Sequence, residues 1–225
     1  MNLLAIDTSA DFCSVAASRD GTVVFRHERA SQKQAGIIFG MIDAVLAEAG
    51  LARGDLQGIA YGAGPGSFTG LRIACGVTQG IAEALAIPVA GVNTLLAMAE
   101  ESKCDRVIAC LDARMGEVYH AAYLKKNGAG WKEIIAPGVC RPEQMPAASG
   151  DGWMGCGSGF AAHGEALAAR YASNRLREIR ADVAPTARAV LALAAPRFAA
   201  GEGEDAASAT PFYLRDKVAL KTSER

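Results

Sequence analysis

Two short motifs carry residue types that contact phosphate groups in proteins. The apolar run that opens the chain ends in Asp7, Thr8 and Ser9, and a glycine-rich loop at residues 62–66 leads into a helical pattern. A carboxylate at a strand end can orient a metal ion or a water molecule, while hydroxyl and N–H groups approach phosphate. A glycine loop that enters a helix adds free N–H groups and the positive end of the helix dipole. Both motifs are therefore candidates for one nucleotide-binding cleft.

Each motif also has a purely structural explanation. An Asp-Thr-Ser turn is stabilised when its side chains bond their own backbone, and glycines permit a tight connection between a strand and a helix. The loop at 62–70 is not a P-loop, because no Lys followed by Ser or Thr comes after it, and it lacks the downstream acidic residue of a dinucleotide-binding loop. Ser67 or Thr69 is expected to cap the next helix. The sequence leaves both explanations open.

Few groups in the sequence suit catalysis. His27, His120 and His163 lie far apart and form no H-x-x-x-H or H-E-x-x-H metal pair. His27 and His120 fall in predicted strands, where we expect them to be satisfied in the core or to face solvent. The six cysteines form no C-x-x-C pair and several lie in apolar runs, which predicts reduced, structural thiols. Since no G-x-S-x-G motif is present either, we predict no catalytic residue and no metal site.

A pair of glycines in the second long helical pattern indicates an interface between helices. Gly76 and Gly80 lie four residues apart on one face of the predicted helix 67–85, and each costs about 1 kcal/mol of helix stability relative to Ala. We expect such a pair where another backbone approaches closely, either within the fold or in a partner. The predicted helix 34–49 adds a wide set of apolar residues. The predicted partner-binding residues are Ile37, Met41, Val45, Ile73, Gly76, Val77 and Gly80.

The composition favours an ordinary globular protein and argues against two classes of function. The 225 residues are 51% apolar and 21% charged, which suffices for a core without disulfides or metals. The net charge of −1 is unlike that of dedicated nucleic-acid binders, which need excess cations to neutralise phosphates. No apolar run reaches the roughly 20 residues of a membrane span, and no cationic leader opens the chain. We expect a cytoplasmic protein that does not enter a membrane.

The elements that must position these residues occur twice along the chain. Strand patterns occupy residues 2–6, 13–18, 22–27, 59–61 and 88–92, and helical patterns occupy 34–49, 67–85 and 93–102. The second half restarts with strands at 106–111, 117–124, 131–135 and 153–154, a glycine loop at 155–160, and helices at 162–169 and from Pro185 to about Ala200. Asp112 ends its strand as Asp7 does. We predict a duplicated α/β protein with a cleft between its lobes.

The predicted lobes are residues 1–103, which carry the partner-binding helices, and residues 104–225. We also expect the C-terminal tail to pack back on the first lobe. The residues of the candidate nucleotide cleft are Asp7, Thr8, Ser9, Gly64, Gly66 and Asp112.

The chain resembles the TsaB (YeaZ) family, a bacterial component of the machinery that makes threonylcarbamoyladenosine in tRNA. Four segments carry the resemblance: residues 3–9, residues 64–73, residues 112–119 and the tail 211–215. It implies an actin-like fold of the ribonuclease H-like, sugar-kinase and Hsp70 type. It also implies a non-catalytic partner of TsaD, the subunit that transfers threonylcarbamoyl to the adenosine beside the anticodon of tRNAs reading codons that begin with A.

The resemblance further implies the partners and the surface that binds them. TsaD forms a heterodimer through the two first-lobe helices, the same surface serves a homodimer when the chain is alone, and the ATPase TsaE docks where TsaB and TsaD meet. Contact with tRNA is indirect, through the complex. No cofactor is firmly implied, and weak binding of ATP or ADP in the complex remains an alternative.

Three further points belong to the resemblance. Gln34 stands where many relatives have a histidine, and Gly36 is a second departure in the same helix. An ATP-dependent phosphotransferase or nucleotide-binding protein of the same fold is the alternative function. A metalloprotease would need a pair of metal-binding histidines, which the sequence lacks.

Overall fold

Apolar runs separated by tight turns give the first half of the chain a five-stranded mixed sheet. The computed structural model describes residues 1–30, 33–126, 130–172 and 176–215. The strands are β1 (Leu3–Asp7), β2 (Phe12–Arg19), β3 (Thr22–Arg29), β4 (Gly58–Gly64) and β5 (Val89–Asn93). Their order is β3-β2-β1-β4-β5, in which β1 is antiparallel to β2 and parallel to β4. The parallel strands β1 and β4 therefore end at the same edge of the sheet.

The second half repeats this sheet. Its strands are β6 (Arg106–Arg114), β7 (Glu117–Lys125), β8 (Trp131–Cys140), β9 (Met154–Cys156) and β10 (Glu178–Arg180). The order β8-β7-β6-β9-β10 has the directions of the first sheet, with β6 antiparallel to β7 and parallel to β9. The predicted duplication is confirmed.

Two strands of the second sheet differ from the prediction. β8 continues five residues beyond the predicted end, because its pairing with β7 extends past two register shifts. β10 was not predicted, since three residues with two charges have no strand periodicity, and only the pairing with β9 makes them a strand.

Within the described ranges, six α-helices connect and cover the sheets. They are α1 (Gln34–Ala49), α2 (Phe68–Leu85), α3 (Thr94–Ser102), α4 (Ser158–Ala162), α5 (Gly164–Arg170) and α6 (Ala187–Ala199). Gly50, with φ +66°, ends α1 as predicted. Ser67 caps α2, since its Oγ accepts a hydrogen bond from Gly70 N–H, and Asn93 Oδ1 caps α3 through Leu95 N–H.

Two helix predictions in the second half need correction. The predicted helix 162–169 is two short helices, because His163 between them leaves helical geometry with φ −132°. The first of these helices, α4, begins inside the predicted glycine loop. The last helix does not open at Pro185. Its cap is Thr186, whose hydroxyl accepts a hydrogen bond from Ala189 N–H.

One helix of each half packs on the sheet of the other half. Leu95 and Met98 of α3 lie in a core cluster with Val107 of β6. Val190 and Leu191 of α6 lie in a core cluster with the first sheet. The two lobes are therefore joined by exchanged helices as well as by the chain. Among the described residues, no helix has both the length and the apolar character that crossing a bilayer requires.

Candidate functional site

The Asp-Thr-Ser turn lies at the end of β1 and binds its own backbone and helix α2. Asp7 Oδ1 accepts hydrogen bonds from Ser9 N–H at 3.0 Å and from the Ser9 hydroxyl at 2.8 Å. The Thr8 hydroxyl donates to the Gly70 carbonyl oxygen at 2.6 Å. A Cβ on Gly70 would lie 1.8 Å from the Thr8 carbonyl oxygen, so only glycine fits there. The turn therefore fixes the start of α2 against β1.

The glycine loop between β4 and α2 packs directly on this turn. A Cβ on Gly62 would lie 1.9 Å from Asp7 Oδ2, and one on Gly66 would lie 2.3 Å from the Ser9 carbonyl oxygen. That carbonyl also accepts a hydrogen bond from Ser67 N–H at 2.7 Å. The glycines thus allow the chain to approach itself closely, and the structural explanation of both motifs is realised here.

The C-terminal tail covers another side of the same loop. Phe212 N–H donates to the Ala63 carbonyl oxygen at 2.6 Å. Gly64 has φ +119°, and a Cβ on it would lie 2.5 Å from the Phe212 carbonyl oxygen. The tail and the turn therefore place carbonyl oxygens around the loop. These groups are unsuited to binding phosphate, because a carbonyl oxygen has no hydrogen to donate to a phosphate oxygen.

Asp7 is a buried acid with an unusual protonation equilibrium. Burial raises its pKa from 3.8 to about 6, and the two hydrogen bonds from Ser9 oppose this effect only in part. Its second oxygen, Oδ2, has no hydrogen-bond partner among the described residues. Folding therefore opposes ionisation of this carboxyl group.

We expect Asp7→Asn to stabilise the chain near neutral pH. The unfolded carboxyl ionises above about pH 3.8 and the folded one above about pH 6, so stability falls as pH rises through this window. The shift corresponds to at most about 3 kcal/mol, and Asn avoids that penalty. Urea unfolding at about pH 7.5 and about pH 4.5 should show the variant more stable than wild type, by a margin that shrinks in acid.

Ser9→Ala is the matched comparison for this prediction. It removes the hydroxyl that favours the ionised form, so the loss of stability with rising pH should become larger than in wild type. If Asp7→Asn changed stability equally at both pH values, the buried acid would not be the titrating group.

Asp112 occupies the equivalent place in the second lobe. Its N–H donates to Ser158 Oγ at 3.1 Å, and its Oδ1 accepts a hydrogen bond from Arg114 N–H at 2.9 Å. The His163 Nε2 atom lies 3.7 Å from the same oxygen. The Asp7 carboxylate thus lies against the first glycine loop, whereas Asp112 bonds to the second loop through its backbone N–H.

The other candidate reactive groups are dispersed. No cysteine is in a disulfide, and burial raises the thiol pKa of Cys13 and Cys156 to about 12, which disfavours the nucleophilic thiolate. His27 stacks on Phe12, and burial lowers its pKa and that of His120. In the described ranges, no three His, Cys, Asp or Glu side chains converge as metal ligands.

The predicted partner-binding residues divide between the core and the surface. Met41 and Val45 lie on the buried side of α1. Ile37, Ile73 and Val77 are partly buried and packed against the same core. Part of each of these three side chains remains exposed.

Gly76 and Gly80 are both exposed on α2. No described atom comes within 4 Å of a Cβ built at either position, apart from the helix itself. The close approach that these glycines permit is therefore unused within the described chain. Among the described residues, internal packing therefore does not account for this glycine pair.

Sequence reasoning missed a second glycine pair on α1. Gly36 and Gly40 share the four-residue spacing, are exposed, and have no described atom within 4 Å of a built Cβ. Phe39 beside them is 52% exposed. The signal was the spacing itself, which is the same as that of Gly76 and Gly80. Gly36 and Gly40 line a groove beside Arg26 and Glu28 of β3, whereas Gly76 and Gly80 lie on α2. We use the name helix-pair face for the exposed residues of both helices, which are the two glycine pairs with Ile37, Phe39, Ile73 and Val77.

Gln34 has a structural role at the start of α1. It is buried, and its Nε2 donates to the Ala10 carbonyl oxygen at 3.2 Å, which ties α1 to the connection between β1 and β2.

The fold and the site define the class. Two lobes with equivalent sheets, exchanged helices and a glycine loop in each form an actin-like protein of the ribonuclease H-like kind. In this chain the first glycine loop is covered by its own turn and tail, and the helix-pair face is open.

Comparison with known proteins identifies the family within this class. A family model for TsaD, described as tRNA N6-adenosine threonylcarbamoyltransferase, matches residues 25–222. The chain is 37% identical to the tRNA threonylcarbamoyladenosine biosynthesis protein TsaB of Escherichia coli K12, over 98% of this chain and 97% of that protein. It is 33% identical to TsaB of Haemophilus influenzae, over 98% and 96%. The chain belongs to the TsaB (YeaZ) family of TsaD-like proteins.

Solved structures agree with this assignment. YeaZ from Pseudomonas aeruginosa is 36% identical and superimposes with a TM-score of 0.85, covering 95% of this chain and 99% of that one. A crystal structure of an uncharacterized protein with similarity to peptidase YEAZ from Pseudomonas aeruginosa, at 37% identity, has the same TM-score and coverage.

Proposed function

We propose that this chain is a non-catalytic subunit in tRNA threonylcarbamoyladenosine biosynthesis and that it binds TsaD through the helix-pair face. The observation that carries the proposal is that two helices each expose two glycines four residues apart, Gly36 with Gly40 on α1 and Gly76 with Gly80 on α2. The TsaB relatives are tRNA threonylcarbamoyladenosine biosynthesis proteins, and this similarity supplies the pathway.

The glycine pairs favour a helix-packing partner for a physical reason. Each glycine in a helix costs about 1 kcal/mol relative to Ala, so four at exposed positions reduce the stability of the free chain. In return, the missing side chains let the backbone of a partner helix lie close to α1 and α2. Partly exposed Ile37, Ile73 and Val77 provide apolar contact around them. This arrangement suits a helical partner surface better than a small ligand.

The state of the cleft supports a non-catalytic role. Residues that could hold phosphate instead contact other parts of the chain. The Thr8 hydroxyl donates to the Gly70 carbonyl oxygen, and the Ser9 carbonyl oxygen accepts a hydrogen bond from Ser67 N–H. The Phe212 carbonyl oxygen covers Gly64. A phosphotransferase needs its phosphate loop accessible and a catalytic acid ionised. Burial of Asp7 opposes its ionisation, so these contacts favour the scaffold over the nucleotide-dependent alternative.

In this proposal the chain contributes contact energy to a cytoplasmic complex. A subunit can shift the conformation of TsaD only by binding one state of TsaD more tightly than another. TsaE joins where the two subunits meet, and the same helix-pair face serves a homodimer when TsaD is absent. The net charge of −1 fits a chain that leaves most tRNA contacts to other subunits.

Depletion of the protein in its host should remove threonylcarbamoyladenosine from bulk tRNA, as measured by mass spectrometry of nucleosides. Wild type and Asp7→Asn are expected to restore the nucleoside equally, since the scaffold does not use the carboxylate of the cleft. Persistence of the nucleoside at its full level after depletion would refute the proposed pathway.

Calorimetry separates the scaffold from the alternative. If the purified chain bound ATP and Asp7→Asn lost both this binding and the restoration, the phosphotransferase explanation would replace the scaffold. A non-catalytic scaffold requires neither ATP binding by the purified chain nor a loss of restoration in Asp7→Asn.

A further inference from the structure

The last described residues, 211–215, run across both lobes without forming a helix or a strand. We call this segment the strap. It first contacts the end of β4, where Phe212 N–H donates to the Ala63 carbonyl oxygen at 2.6 Å. Immediately before the strap, the Thr210 carbonyl oxygen accepts a hydrogen bond from the Tyr61 hydroxyl at 3.3 Å. The strap is thereby held to the first lobe beside the glycine loop.

A second attachment joins the strap to the N-terminal part of α2. The Tyr213 ring lies 5.6 Å from the Phe68 ring, centroid to centroid, and its hydroxyl accepts a hydrogen bond from Arg72 Nε at 3.1 Å. The Arg72 guanidinium also lies 3.8 Å from the centroid of the Phe68 ring. Cation–π and aromatic contacts of this kind hold a ring without burying it deeply, and both Phe68 and Tyr213 remain exposed.

The third attachment is to the second lobe. Arg215 donates to the Ala113 carbonyl oxygen at 2.9 Å and forms an ion pair with the Glu117 carboxylate. The Arg215 side chain is only 16% exposed, so water screens this pair less than an ordinary surface pair. Ala113 lies near the end of β6 and Glu117 lies at the start of β7. Arg215 therefore binds both sides of the hairpin that joins these strands.

These attachments connect a strand end of the first lobe to a strand hairpin of the second lobe. The exchanged helices α3 and α6 hold the lobes together by packing on sheet faces. The strap instead ties the end of β4 to the hairpin at the end of β6. Its attachments are a few hydrogen bonds, one ring pair and one ion pair, which is the kind of contact that opens without unfolding the core.

We propose that the strap is an inter-lobe clamp. When Arg215 holds the β6–β7 hairpin, Phe212 stays on the glycine loop and the lobes keep one relative orientation. When the Arg215 contacts break, only the first-lobe contacts hold Phe212 on the glycine loop, so Phe212 leaves the loop and exposes the outer side of Gly64 more often, and the angle between the lobes is less restrained. This conformational device goes beyond the proposed function and is independent of whether TsaD is the partner.

Glu117→Gln in the full-length chain tests the clamp from the second lobe. The substitution keeps the shape of the side chain and removes its charge, which weakens the bond to Arg215. Hydrogen exchange at the Phe212 amide, which is bonded to the first lobe, should accelerate by about tenfold, the effect of losing one charge-assisted hydrogen bond. Small-angle X-ray scattering should show an increased radius of gyration.

Asp43→Asn is the matched control, because it breaks the ion pair with Arg53 inside the first lobe. It should change neither measurement. Circular dichroism confirms that the variants are folded, and Arg215→Ala gives a second variant with the same expected result. Unchanged exchange at Phe212 in Glu117→Gln, or faster exchange without any change in scattering, would overturn the clamp.

Discussion

Gly76→Arg and Gly80→Arg are each expected to abolish co-elution with TsaD in size-exclusion chromatography. An arginine side chain on the exposed side of α2 would keep a partner helix from approaching and would place a charge in its contact. Disruption at the centre of an interface costs about 3 kcal/mol or more, which is more than about a hundredfold in affinity. In depleted cells, neither variant should restore threonylcarbamoyladenosine. Both should remain folded, because no described atom outside the helix lies within 4 Å of the built Cβ.

Gly164→Arg is the matched control for this loss. Gly164 also has no described atom within 4 Å of a built Cβ, but it lies at the start of α5 in the second lobe, away from the helix-pair face. It should co-elute with TsaD as wild type does. If the variants at Gly76 and Gly80 also co-elute, the assignment of the interface fails while the pathway itself can still hold.

Gly70→Ala is expected to lower the free energy of unfolding by about 3 kcal/mol. The added Cβ would lie 1.8 Å from the Thr8 carbonyl oxygen, a backbone atom that cannot move without shifting the end of β1. The same displacement would break the bond from the Thr8 hydroxyl to Gly70, at 2.6 Å. Urea unfolding followed by tryptophan fluorescence measures the loss.

Gly76→Ala on the same helix should have the opposite effect. The added methyl group would meet open space, and alanine has a higher helix propensity than glycine, so the free energy of unfolding should rise by about 1 kcal/mol. The same change should weaken TsaD binding if a partner backbone approaches there, so stability and affinity would move in opposite directions. Equal tolerance of alanine at positions 70 and 76 would contradict the packing of α2 on the Asp-Thr-Ser turn.

The order of elements was predictable because its signals are local. Apolar periodicity located both sets of strands, and Gly50, Ser67 and Asn93 marked helix ends through their own backbone and side-chain chemistry. The repetition of this order predicted two equivalent lobes, and the sheets confirm it. β10 escaped prediction because it is a strand only through its neighbour β9.

The candidate surface was predictable only in part. Periodicity shows that α1 has a wide apolar side, but it does not show how much of that side the sheet covers. The sheet buries Met41 and Val45, and it leaves part of Ile37 exposed. The glycine pair on α1 was visible as a spacing, yet its exposure depends on the position of the helix over the sheet.

The sequence by itself determined the duplicated α/β order, the family resemblance and the positions of the glycines, because each depends on residue identity and short-range pattern. The tertiary structure decided what the glycines do. Gly62, Gly66 and Gly70 admit the chain's own Asp-Thr-Ser turn, whereas Gly76 and Gly80 face open space. A missing side chain acquires its role only from the atoms brought to it by distant segments, and in this chain β1 and the C-terminal strap supply those atoms at the loop.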